Sequence, residues 1–221
     1  MAELNVEGFR DLEHIFTPDI RSTCHVRFEN GGTRPVTIED RHHDIDKIEI
    51  NECVPLNIRN HFENAKNLCL YSWYVYRFGP VAEHQAFVTF EFALRERLKE
   101  AIQDPDSPPG FKKLLQIAVK EGLLINEKFT HWHTQKEQIR YQNEQNKQIA
   151  VMVGFEFKPL VEEIDYLSIL IEAFPNLRNF YAHGTAMLHP VKLDILLTCA
   201  EGINQLFSEP ETNILKDKSF A

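Results

Sequence analysis

Between Ile20 and Phe28 the chain alternates, with Ile20, Ser22, Cys24, Val26 and Phe28 on one side and polar residues between them. Asn30-Gly31-Gly32 follows, and then Val36 and Ile38. A period of two broken by a Gly-rich turn predicts a β-hairpin with one buried face. Ile48 and Ile50 suggest a third short strand, with Pro55 closing the section. Residues 1–54 therefore read as a small β-rich appendage.

After Pro55 the period changes. Ile58, Phe62, Ala65, Cys69, Ser72 and Tyr76 recur at three- and four-residue spacing, the stripe of an amphipathic helix, which Gly79-Pro80 is expected to end. A second helix is expected over 81–103, with Phe87, Phe90, Leu94, Leu98 and Ala101 on its core side. The run from Asp104 to Gly110 is rich in Pro and Asp and reads as a loop. Further helices are expected at 111–121 and 127–149. Pro159 is a suitable opening for the next, which would turn Leu160, Ile164, Leu167 and Ile171 inward until Pro175 interrupts it. A short piece to His183 and a last helix over 190–207 complete the reading. The fold class is thus mainly α: a helical bundle over 55–221 with a β-hairpin appendage before it.

Composition narrows the function. With 24 basic and 33 acidic residues the formal charge is −9, which argues against a surface that coats nucleic acid, because phosphate binding rests on clustered Lys and Arg. The acidic excess is uneven. Residues 1–56 hold twelve acids against six bases and 150–173 hold five against one, while 81–149 balance at ten each. Gripping one or two phosphates needs only local positive charge. No apolar run approaches a membrane span, and MAELNVEGFRDLEHIF lacks the layout of a signal peptide, so a cytoplasmic location is expected. Cys24, Cys53, Cys69 and Cys199 stand singly, with no CxxC pair, and read as buried free thiols.

The segment LRNFYAHG at 177–184 contains an arginine followed five positions later by a histidine, with Asn second and Gly after the histidine. It resembles the R-x4-H signature of HEPN domains. AFVTFEFALRERL at 86–98, and FKKLLQIAVKEGLL ahead of the later LRN…HG, are similar to bacterial members. The likeness covers about 57–207 and leaves the hairpin region outside it. It implies an HEPN-type bundle and a metal-independent endoribonuclease of toxin or defence type, without a cofactor. The implied site forms where two copies of the motif meet in a homodimer. RNA is the implied substrate, and an antitoxin or other regulatory partner belongs to the same expectation.

The residue types suit that chemistry. Cleavage without a metal requires one group to take the 2′-hydroxyl proton and another to protonate the leaving 5′-oxygen near neutral pH, and histidine can do either. Arginine offers a fixed cationic fork for the phosphate and the charge gathering on it. The catalytic set is therefore Arg178, Asn179 and His183, with Glu91 and Tyr181 in support. On a helix Asn179 and His183 share a face, whereas Arg178 lies about 140° around the axis from His183. Gly184 is a suitable helix end, which would leave His183 in the last turn, where the dipole favours an imidazolium.

Glu91 falls on the stripe of Phe87, Leu94 and Leu98, and a buried carboxylate needs a partner. Arg95, one turn on, is the plain candidate; Arg178, reaching from another helix, is the functional one. His131-Trp132-His133 and Arg41-His42-His43-Asp44 lack further ligands at an interpretable spacing, so no metal site is expected. The aromatic run Tyr71–Phe78 reads as buried core rather than a stacking platform. Two other functional readings stay open. One is a non-catalytic HEPN module that binds RNA, nucleotide or protein; the other is a structural helical domain in which the motif is accidental.

Overall fold

The alternation that begins at Ile20 breaks into short pieces instead of forming one long strand. The computed structural model describes residues 6–100, 102, 108–161, 163–184 and 189–208. Asp19 accepts the Arg21 N–H and starts a single helical turn, α1 (Ile20–Thr23). Strands β1 (Val26–Glu29) and β2 (Gly32–Pro35) then pair antiparallel, Val26 opposite Pro35 and Glu29 opposite Gly32. Asn30 and Gly31 both take positive φ, the geometry a tight two-residue hairpin turn demands. The hairpin is present, but the expected buried face is not: Val26 is 58% and Phe28 83% exposed.

Ile38 belongs to helix α2 (Ile38–Asp46), because Thr37 and Asp40 form a reciprocal capping box that ends extended structure there. Arg34 reaches Asp40 and Arg27 reaches Asp44, so ion pairs fasten the hairpin to this helix. Ile48 and Ile50 form no third strand; Ile45, Ile48 and Val54 instead join the hydrophobic core of the helices that follow.

Helix α3 (Leu56–Tyr71) buries Ile58, Phe62, Ala65 and Cys69 as its spacing requires. Gly79-Pro80 does not end it. Both residues lie in the first turn of α4 (Phe78–Leu98), where a proline forfeits no intrahelical bond. A Cβ on Gly79 would collide with Cγ2 of Val191, so the glycine permits a close approach of a later segment. Between the two helices Trp73 and Tyr76 are buried while Tyr71 and Phe78 are exposed.

Helix α4 is the axis of the bundle and packs on α3 and on three later helices: α5 (Phe111–Lys120), α7 (Tyr166–Ala182) and α8 (Leu193–Phe207). Its apolar residues surround it accordingly, with Phe87, Phe90, Ala93 and Leu94 fully buried. Gly202 of α8 rests on the Phe90 ring, 2.5 Å from where a Cβ would stand. Ala101 and the loop residues 104–107 lie outside the described residues.

A 3₁₀ turn at Asn126–Lys128 leads into α6 (Thr130–Val153), a helix largely on the surface whose one buried residue is Ala150. Pro159 opens no helix. The Asn143 side chain pairs with both main-chain groups of Leu160, which lies outside any helix, and α7 starts only at Tyr166, where Asp165 caps Ser168 N–H. Pro175 lies inside α7 and does not interrupt it, since Leu170, Phe174 and Tyr181 hold the helix to the core on both sides. Cys69 and Cys199 are buried, but Cys24 and Cys53 are exposed, contrary to the expectation for all four. Among the described residues no helix is long and apolar enough to cross a membrane.

Candidate functional site

The motif occupies the last turn of α7. Phe174 packs edge-on against Phe87 at 4.8 Å between ring centroids, and Tyr181 stacks on the same ring, which lays this end of α7 along the first half of α4. Gly184 takes φ +79°, and its N–H bonds the Tyr181 carbonyl, a left-handed helix end of the kind the sequence suggests. His183 is the residue at the cap, its N–H donating to the Asn179 carbonyl at 3.0 Å. Its side chain is exposed, as is that of Asn179.

Arg178 reaches toward α4 and keeps one bond to Asn179. Its Nε donates to Oε2 of Glu91 at 3.1 Å and Nη2 meets the same oxygen, while Nη1 donates to the Asn179 side-chain oxygen at 2.9 Å. Glu91 is 7% exposed, and its second oxygen accepts from Arg95 at 2.6 Å. The two partners weighed for this carboxylate are therefore both engaged. One carboxylate between two guanidinium groups leaves an excess of positive charge on a side chain, Arg178, that is 30% exposed. An anion arriving at the end of α7 meets this cation, already aimed and needing no further ordering.

Three polar residues near the motif escaped the sequence reading. Glu83 has no exposed surface; its Oε2 accepts from the Tyr181 hydroxyl at 2.6 Å and its Oε1 from the Lys192 N–H at 3.1 Å. It stands four before Phe87 and eight before Glu91 on the same buried stripe, so the argument that singled out Glu91 applies equally to Glu83. Nε2 of His189 lies 3.1 Å from the Tyr181 oxygen and 3.7 Å from Glu83. Burial, and then the bond to Glu83, hold the Tyr181 phenol above its ordinary range, so it remains a hydrogen-bond donor at neutral pH.

His84 is the third. It precedes Glu91 by two helical turns on α4, and α7 runs antiparallel to α4, with Arg178 against Glu91 and Tyr181 against Glu83. His84 is half-buried on this stretch of α4, within range of the Arg178 charge. Burial lowers its pKa first and the charge of Arg178 second, so the neutral imidazole is favoured there. No spacing rule pointed to it, because a histidine one residue off the apolar stripe reads as surface.

The structure thus brings Arg178, Asn179 and Glu91 into one hydrogen-bonded cluster and Tyr181 into a second, with Glu83 and His189, while the exposed His183 side chain stands at the end of the same helix. Among the described residues no group of three or more His, Cys, Asp or Glu side chains is arranged to hold a metal ion. No family model, no curated protein and no solved structure matches this chain.

Proposed function

We propose that this chain is an HEPN-type endoribonuclease that cleaves RNA without a metal, working as a homodimer in which two copies of the motif face one another. The observation that supports it most is the pairing of Arg178 with Glu91, which fixes a partly exposed guanidinium in the last turns of the helix whose end carries the exposed His183 side chain. In the reaction, a base takes the proton of the ribose 2′-hydroxyl, whose oxygen attacks the adjacent phosphorus. The bond to the 5′-oxygen breaks, and that oxygen leaves with a proton from an acid. The products are a 2′,3′-cyclic phosphate and a 5′-hydroxyl end. Arg178 stabilises the charge gathering on the phosphate, His183 carries a proton, and Asn179 orients the phosphate or the arginine.

The second copy is part of the proposal for a geometric reason. Arg178 faces α4 while His183 faces out from the cap, so a phosphate held by one arginine meets more readily the histidine of another chain. Incubation of the protein with mixed RNA in EDTA, beside His183→Ala, tests the reading. Chelator-resistant cleavage that yields cyclic phosphate ends and disappears in the variant is the expected result. Failure to cleave any RNA favours a non-catalytic binding module, and one observation already leans that way: part of the Arg178 charge is spent on Glu91.

A further inference from the structure

The carboxylate of Glu83 joins two points of the chain that are close to His183 in sequence but on opposite sides of it. Tyr181 precedes the histidine by two residues and donates its hydroxyl proton to Oε2. Lys192 follows it by nine and donates its main-chain N–H to Oε1. Both therefore converge on one fully buried side chain of α4. We propose that Glu83 is a positioning residue, which fixes where the imidazole of His183 stands by tethering the chain on both sides of it to the bundle axis.

Four features make the tether stiff. A fully buried carboxyl group has a strong requirement for partners, and these two donors occupy both of its oxygens, so release of either leaves a polar atom unpaired in the core. His189 adds a second restraint: its Nδ1 lies 3.0 Å from the Pro190 carbonyl oxygen and its Nε2 3.1 Å from the Tyr181 oxygen, with Glu83 at 3.7 Å. Packing adds a third restraint, since Val191 seats against Gly79, four residues before Glu83 on the same helix. Tyr181 is held through its ring as well, stacked on Phe87 at 6.3 Å between centroids. None of these groups needs to touch RNA, and the effect of Glu83 on the reaction passes through His183. That effect rests on the ribonuclease reading; the tethering itself does not.

The test combines amide hydrogen exchange with steady-state cleavage for Tyr181→Phe, which cuts one tether, and for Glu83→Ala and Glu83→Gln. Tyr166→Phe serves as control, because it removes a comparable buried hydroxyl, bonded to Thr198, at the opposite end of α7. In Tyr181→Phe the amides of His183, Gly184, Val191 and Lys192 are expected to exchange about tenfold faster relative to those of α3, with kcat down roughly tenfold or more and KM within about twofold. Glu83→Gln, which can still accept from Lys192 and donate to the Tyr181 oxygen, is expected to recover most of what Glu83→Ala loses. Tyr166→Phe is expected to lower Tm without either local effect. Unchanged exchange at those four amides in Tyr181→Phe, or in a folded Glu83→Ala, overturns the proposal whatever the rate does, and so does faster exchange at undiminished kcat. If the wild-type protein cleaves no RNA, the ribonuclease reading falls, and the exchange data alone decide whether Glu83 fixes the segment that carries His183.

Discussion

Nε and Nη2 of Arg178 converge on a single oxygen of Glu91 across the seam between α7 and α4, leaving the other oxygen to Arg95. Glu91→Gln keeps the shape and one acceptor but removes the charge that aims the arginine. Both guanidinium groups are about one-third exposed, so water compensates them, and the stability loss is expected to be modest, roughly 1–2 kcal/mol. For a chain of this size that is a fall in Tm of about 3–6 °C. Cleavage is expected to fall by about tenfold or more, because a phosphate then meets an arginine that must first be ordered. Thermal melts and initial rates on the same preparations check this; equal loss of fold and activity would make Glu91 a merely structural residue.

His84 gives a pH dependence with a definite sign. Burial and the Arg178 charge lower its pKa from 6.5, so the unfolded chain binds the proton more readily than the folded one. Stability therefore rises with pH across the window between the lowered native value and about 6.5, and is lost as pH falls through it. Replacing His84 by Gln is expected to flatten the stability curve between about pH 7 and pH 5, and Arg178→Gln to flatten it in part. Urea unfolding at several pH values measures the slope. An unchanged slope in His84→Gln would assign the acid sensitivity to other groups.

Gly79 ties the start of α4 to the segment that Glu83 anchors. A methyl group at this position meets Cγ2 of Val191, next to the Lys192 N–H that Glu83 accepts. Gly79→Ala is expected to cost about 1–3 kcal/mol through overpacking, despite the better helix propensity of alanine. Chemical denaturation checks the sign: a stabilised variant would mean that Val191 moves aside without cost.

The helices that bury a stripe were legible because burial imposes a period, and Ile58, Phe62, Ala65 and Cys69 follow it without exception. Proline and glycine misled. Gly79-Pro80 looked like a stop but sits where a first turn tolerates it, and Pro175 looked like a break but lies in a helix anchored on both sides of it. The N-terminal alternation misled for another reason: strands need a face to cover, and here capping at Asp19 and Thr37 converts the ends of the pattern into helix. At the candidate site, the need of a buried charge for a partner led to Glu91. Glu83 obeys the same rule and could have been found by it. His189 and His84 could not, because their places depend on how α7 lies along α4, which no local spacing encodes.

The composite site can be separated from a site within one chain by mixing subunits. Arg178→Ala and His183→Ala are each expected to be inactive alone. In the proposed homodimer each site takes its arginine from one chain and its histidine from the other, so a mixed dimer carries one site with both residues intact and one with neither. Random exchange makes half of all dimers mixed, and half of the sites in those are whole, which predicts recovery to about one quarter of the wild-type rate. If both residues act within one chain, every site in the mixture lacks one of them and no activity returns. Light scattering on the same samples fixes the oligomeric state. The expected outcome is a dimer whose mixed form recovers activity, and which Phe180→Glu, a charge on the exposed ring between Asn179 and Tyr181, converts to an inactive monomer.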